Sequence, residues 1–342
     1  MPRRLKIGVV APSSQVPAIE LKLGLDALKA EGFRLKVHPQ VRKSHLFFAG
    51  TDEERARAFF DYAVDPQIDA IWCARGGYGA LRVLPLLEKM TAERGIPERK
   101  LLIGYSDATI LLEYVRARWG WAVLHAPMPS MRSFTILSSG EWSSLIRCVK
   151  GNPEPPDWSG EKLRFHGRPP KRPVEGQMVG GNLASWNSLT GTPYEPRAKG
   201  KILFFEDIDE SLYRVDRMVR HLATAAAFDG VLAIVLGDFL NCGDHSTRVI
   251  RKLPPSRSLN RVLTKPRDSE LKPLRKTLDE REGLLQIFGE TASKLGVPLA
   301  FGLPAGHGPG RSPVPLGAEY ILYPDGRLTL LNWSWTRQNG AR

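Results

Sequence analysis

Cysteine is scarce in this chain: three residues in 342, Cys73, Cys148 and Cys242, widely spaced and without a CxxC pair. They cannot all be bridged within one chain. None follows a strand in the sharp turn that would present a nucleophile, so they are expected to be buried thiols. Long apolar runs are missing too. No window approaches the roughly 20 residues that a membrane-spanning helix needs. Met1-Pro-Arg-Arg-Leu-Lys leads only into the short run Ile7–Ala11, whereas a signal peptide needs an apolar stretch of roughly 7–15 residues. A cytoplasmic location with no membrane partner is the expectation. There is no HExxH and no clustered histidine, so no metal site is expected.

What is present is the composition of an ordinary globular protein, 42% hydrophobic, 25% charged and 8% aromatic. The length suggests two domains. The formal charge of +13 is unusual and is partly local. Residues 245–282 carry eleven Arg and Lys against five acids, with Pro254, Pro255, Pro266 and Pro273 and no sustained apolar periodicity. That segment reads as a basic, largely irregular insert.

Along residues 1–149, short apolar runs alternate with helical patterns, the signature of a parallel sheet wrapped by helices. Strands are expected at Lys6–Ala11, Arg34–His38, Ala70–Cys73, Leu101–Gly104 and Ala122–Leu124, with helices over Ala18–Glu31, Asp52–Tyr62, Tyr78–Leu87 and Ala108–Arg118. Thr51 and Glu54 have capping-box spacing. Residues 150–173 are rich in proline and read as a linker. Residues 174–342 form the second part, with strands at Val174–Val179, Lys201–Glu206, Gly230–Leu236 and Tyr320–Tyr323 and a helix over Ser211–Ala227.

Four segments can carry chemistry. Gly104-Tyr-Ser106-Asp-Ala108 joins an apolar strand to a helical pattern, as a nucleophile elbow requires, and the backbone N–H of Asp107 is placed to donate to an oxyanion. A serine capping an ordinary helix explains the same letters. Arg75-Gly76-Gly77-Tyr78-Gly79 also follows a strand, and its glycines admit either close ligand approach or a plain tight turn. It has neither phosphate-loop nor dinucleotide spacing. His307, in Gly302-Leu-Pro-Ala-Gly-His307-Gly-Pro-Gly, is the histidine best placed by context to serve as general base. Phe205-Glu206-Asp207-Ile-Asp209-Glu210 ends a strand in acids, any of which could orient an imidazole.

Together these segments resemble the LD-carboxypeptidases, a serine peptidase family that includes muramoyltetrapeptide carboxypeptidase and the microcin C self-immunity hydrolases. The likeness runs through Val9-Val-Ala-Pro-Ser-Ser14, Phe48-Ala-Gly-Thr-Asp-Glu-Glu-Arg55, Arg75-Gly-Gly-Tyr-Gly79, Gly104-Tyr-Ser-Asp107, Gly180-Gly-Asn-Leu183, Phe205-Glu-Asp207, Leu236-Gly-Asp238 and Gly306-His-Gly308. It implies an α/β fold whose amino-terminal domain carries the nucleophile, and a smaller, β-rich carboxy-terminal domain. It implies a triad of Ser106, Glu206 and His307, an oxyanion hole from the N–H groups of Gly77 and Asp107, no cofactor, and a homodimer. The substrate implied is a peptide or muropeptide ending in D-alanine, and the Arg75–Gly76 loop or another basic group could bind its carboxylate. Arg311 stands where the family often has asparagine.

Two other readings compete. The same triad could act on a peptidyl-nucleotide antibiotic, but residues 245–282 contain no aromatic residue to stack on a base. A nucleic-acid-binding role would use the positive charge, but the basic residues are not interleaved with aromatics.

Overall fold

The computed structural model describes residues 4–151, 162–243, 279–308 and 312–335. Most of the basic insert and Arg311 lie outside the described residues.

The amino-terminal part alternates strands β1 (Lys6–Val10), β2 (Arg34–Val37), β3 (Ala70–Cys73), β4 (Leu101–Gly104) and β5 (Ala122–His125) with helices α1 (Ala18–Ala30), α2 (Asp52–Val64), α3 (Ala80–Arg94) and α4 (Thr109–Trp119). The two short helices α5 (Arg132–Thr135) and α6 (Ser139–Val149) follow. All five strands are parallel. Strands β3 and β4 are buried along their whole length, which is why Ala-Ile-Trp-Cys and Leu-Leu-Ile-Gly read as continuous apolar runs. The capping box at Thr51 and Glu54 forms with both reciprocal bonds, at 3.3 and 3.0 Å. Helix α3 starts two residues later than its sequence pattern suggests, because Gly77 and Gly79 adopt φ of 101° and 129°.

The second part contributes β6 (Arg164–His166), β7 (Val174–Asn182), α7 (Leu183–Asn187), β8 (Lys201–Ile208), α8 (Leu212–Thr224), β9 (Ala233–Leu240), α9 (Glu280–Leu295), β10 (Leu299–Phe301), β11 (Val314–Leu316), β12 (Glu319–Leu322) and β13 (Leu328–Asn332). Its sheet runs β13-β12-β7-β8-β9-β10-β6, with β7 to β10 parallel to one another. Two connections depart from the sequence reading. Strand β6 lies inside the stretch read as a linker and pairs antiparallel with β10. Strand β11, from the second part, pairs antiparallel with β5 and covers the edge of the first sheet.

Alternation along β8 decides what its end does. Ile202 and Phe204 enter the large core shared with the first sheet, while Leu203 and Phe205 face a second core under α8 and α9 with Val215, Val219 and Phe288. Side chains of period two share a face, so Glu206 follows Phe204 toward the amino-terminal domain. Among the described residues no helix is long and apolar enough to cross a membrane.

Candidate active site

The four segments meet at the carboxyl ends of parallel strands, where open α/β sheets gather ligand-binding loops. Strand β3 delivers Arg75–Gly79, β4 delivers Ser106, β8 delivers Glu206, and the loop after β10 delivers His307.

Ser106 has φ of 60°, a left-handed conformation that an L-residue holds at a cost of about 1–3 kcal/mol unless its surroundings fix it. Small residues do the fixing. A Cβ on Gly104 would lie 2.9 Å from the Ala108 Cβ, and one on Gly76 would lie 2.9 Å from the Ser106 Cβ and 3.1 Å from its Oγ. The turn is therefore a strained strand-to-helix elbow rather than an ordinary capping serine, with the hydroxyl partly exposed.

The glycine loop is tied down on both sides. Ser14 accepts from the Tyr78 N–H (3.1 Å) and donates its own N–H to the Gly76 carbonyl (3.2 Å). The buried Asp107 carboxylate accepts from the Ala80 N–H at 2.8 Å. Burial pushes the Asp107 carboxyl above its usual range, against the pull of the Ala80 N–H and Arg55. Fully buried Arg55 donates to the carbonyls of Gly79 (2.9 Å) and Pro12 and pairs with Asp52. Arg75 is half-buried, and its guanidinium donates to the Gln15 carbonyl at 2.6 Å.

Of the four acids, Glu206 meets the histidine. Its Oε2 accepts from His307 Nδ1 at 2.7 Å and from the His307 backbone N–H at 3.2 Å. This bond fixes the Nδ1–H tautomer and leaves Nε2 as the basic nitrogen. The side chains are 0% and 6% exposed. Burial opposes both charges, but each partner outweighs it: His307 holds Glu206 below its usual range, and Glu206 lifts His307 above its own. Gly306, at φ 129°, is required here, because a Cβ would lie 2.8 Å from Glu206 Oε2. Gly308 is equally confined, by Asp238. His307 packs on Tyr105, the residue before the elbow serine, with ring centroids 4.5 Å apart.

The other acids are occupied or remote. Asp207 accepts from Asn182 Nδ2 (2.8 Å), from the Ala184 N–H (2.9 Å) at the start of α7, and from its own neighbour Ile208 (2.8 Å). Burial and then the charge of Glu206 push it up to about 7. Asp209 accepts from Asn241, and Glu210 lies 3.7 Å from Arg214. The three cysteines are buried free thiols, with Cys148 and Cys242 pushed up by burial to about 12, which removes them as nucleophiles.

Sequence reasoning missed Tyr105 and His125 at this site. His125 closes β5 and Tyr105 directly follows β4, and those positions were the available signal.

The constellation sets a left-handed serine turn near a buried histidine–carboxylate pair in a two-domain α/β fold. Residues 7–126 match the LD-carboxypeptidase N-terminal domain and residues 175–322 the LD-carboxypeptidase C-terminal domain, so the chain belongs to the LD-carboxypeptidase family of enzymes. It is 35% identical to a putative carboxypeptidase of Streptomyces coelicolor, over 69% of this chain and 76% of the relative. It is 28% identical to the murein tetrapeptide carboxypeptidase of Pseudomonas aeruginosa, over 93% and 92% of the two chains. The microcin C7 self-immunity protein MccF of Escherichia coli is 28% identical over 70% of this chain and 76% of its own. The crystal structure of muramoyltetrapeptide carboxypeptidase from Oxalobacter formigenes superposes with a TM-score of 0.68 at 26% identity, covering 94% of this chain and 97% of that one.

Proposed function

We propose that the protein hydrolyses the bond between an L-configured diamino acid and the terminal D-alanine of a cell-wall tetrapeptide, with Ser106 as nucleophile. The observation that carries this reading is the buried His307–Glu206 pair beside a strained serine elbow. His307 Nε2 takes the Ser106 proton as Oγ adds to the scissile carbonyl. The N–H groups of Gly77 and Asp107 receive the oxyanion, and the imidazolium, held by Glu206, returns the proton to the departing D-alanine amine. Water, deprotonated by the same imidazole, then opens the acyl-enzyme and frees Ser106. The terminal carboxylate of the substrate suits the Arg75–Gly76 loop, where the Arg75 guanidinium has donors beyond the one given to Gln15. The relatives named for murein peptides, one of them matched over nearly its whole length, support this substrate class. A cytoplasmic homodimer accompanies the reading by family resemblance.

The test is release of D-alanine from L-Ala–γ-D-Glu–meso-diaminopimelate–D-Ala by the purified chain in the presence of a chelator. Release establishes the reaction. No release by well-folded protein, with cleavage of a peptidyl-nucleotide instead, transfers the site to the other substrate class.

The pH profile is a second expectation. A general base must be unprotonated, and Glu206 raises the pKa of His307. The acid limb of kcat/KM is therefore expected above histidine's ordinary value of about 6.5. A limb below that value would mean that His307 is not charged against Glu206 in the free enzyme.

A further inference from the structure

His125 ends β5 and is 1% exposed, yet neither of its ring nitrogens has a hydrogen-bond partner among the described residues. The buried second oxygen of Glu206, Oε1, has no partner at hydrogen-bonding geometry either, although the Asn182 side chain lies near enough to help lower the Glu206 pKa. A buried polar atom left without a partner is costly, more so if charged, so orphaned groups in one region call for a common explanation.

They do lie in one region. The His125 ring packs edge-on to Phe204, at 5.2 Å, and Phe204 shares its face of β8 with Glu206, two residues on. It also meets the edge of Tyr105 at 5.7 Å, and Tyr105 packs on His307. A Cβ on Gly181 would lie 3.4 Å from His125 Nδ1 and 2.7 Å from Thr109 Oγ1, so both side chains border the same glycine, next to Asn182, the partner of Glu206 in the sheet.

We infer that His125 is a positioning residue for the triad: it offers an N–H, through one bound water, to Oε1 of Glu206 and so holds the carboxylate with Oε2 on His307. A buried water needs two to four polar partners, and His125, Glu206 Oε1 and the Thr109 hydroxyl are of the required kinds. The titratable groups facing His125 are Glu206 on β8, His307 on the loop after β10 and Tyr105 at the elbow, while β11 presents Val314. Burial, the largest influence, and His307 together push His125 down to about 4 against the pull of Glu206. His125 is therefore a neutral donor at working pH and does not compete with His307 for the proton of Ser106.

The inference rests on the proposed triad, and the test separates the two. In the full-length protein, the His307 ring is titrated by NMR through its downfield Nδ1–H proton, assigned by its loss in Glu206→Gln. Tetrapeptide kcat and KM are measured across pH in the wild type, His125→Phe and His125→Gln. Phenylalanine fills the space without a donor. Glu206, losing a hydrogen bond that dilutes its charge, should then hold the imidazolium more tightly and move the His307 titration to higher pH. At neutral pH kcat should fall roughly tenfold with KM unchanged, and recover as pH rises. His125→Gln, which keeps an N–H, should stay near wild type. The inference is overturned if His125→Phe leaves kcat within about twofold and the His307 titration in place, or if both variants lose activity with that titration unmoved. Should His125→Phe not fold, His125→Met carries the same comparison. A wild type with no Glu206-dependent proton overturns the triad itself, whereas its presence without response to residue 125 overturns this inference alone.

Discussion

Ser106→Ala is expected to reduce D-alanine release by roughly 10⁶-fold while leaving the folded protein intact, because nothing else at the elbow supplies an activated oxygen. Alanine is as strained at φ 60° as serine, so its stability should barely change. Ser106→Gly should be equally inactive but more stable. Glycine escapes the roughly 1–2 kcal/mol that an L-residue spends in the left-handed region, offset in part by the greater freedom of the unfolded chain. Thermal unfolding of the three proteins beside their turnover checks both halves. A Ser106→Gly variant that melts below Ser106→Ala would mean that the elbow is not a strained turn. Residual turnover in both would move the nucleophile elsewhere.

Glu206→Gln is the second large effect, with kcat expected to fall by about 10⁴-fold at nearly unchanged geometry. The amide can still reach His307, but as a donor to Nδ1, which places the ring proton on Nε2, the nitrogen that must be basic toward Ser106. The shift in pH dependence is the diagnostic. Without the carboxylate, burial lowers the His307 pKa against only the weaker pull of Asp207 and Asp209, so the acid limb of the residual activity should move down rather than up. Activity within about tenfold of wild type would assign the orienting role to another group. Asp207 is a poor substitute, since its oxygens are taken by Asn182, Ala184 and Ile208.

The elements that carry this site were largely legible in the letters. Apolar runs fully buried between helices announce their own strands, so β3 and β4 have the residue bounds read from the sequence. Glycines with no room for a side chain marked the elbow and the two loops. The short strands β6 and β11 were not legible. Three residues make no periodic pattern, and what holds each in place is a partner far along the chain, β10 and β5 respectively.

By itself the sequence marked the strand–helix alternation of the first sheet, the turn at Ser106, the glycine loop at Gly76–Gly79 and the family. Each follows from local sterics or from a run of neighbours, which a linear pattern records. Which of Glu206, Asp207, Asp209 and Glu210 meets the histidine was open in the letters themselves and implied as Glu206 only by the family resemblance; the tertiary structure sets Glu206 against His307. That choice depends on which face of β8 meets the first sheet and on where a loop about a hundred residues later returns. It also buried His125 against Phe204 and Tyr105, within electrostatic reach of Glu206 and His307. Hydrogen bonding and burial act over a few ångströms of space, and distance along the chain carries no record of them.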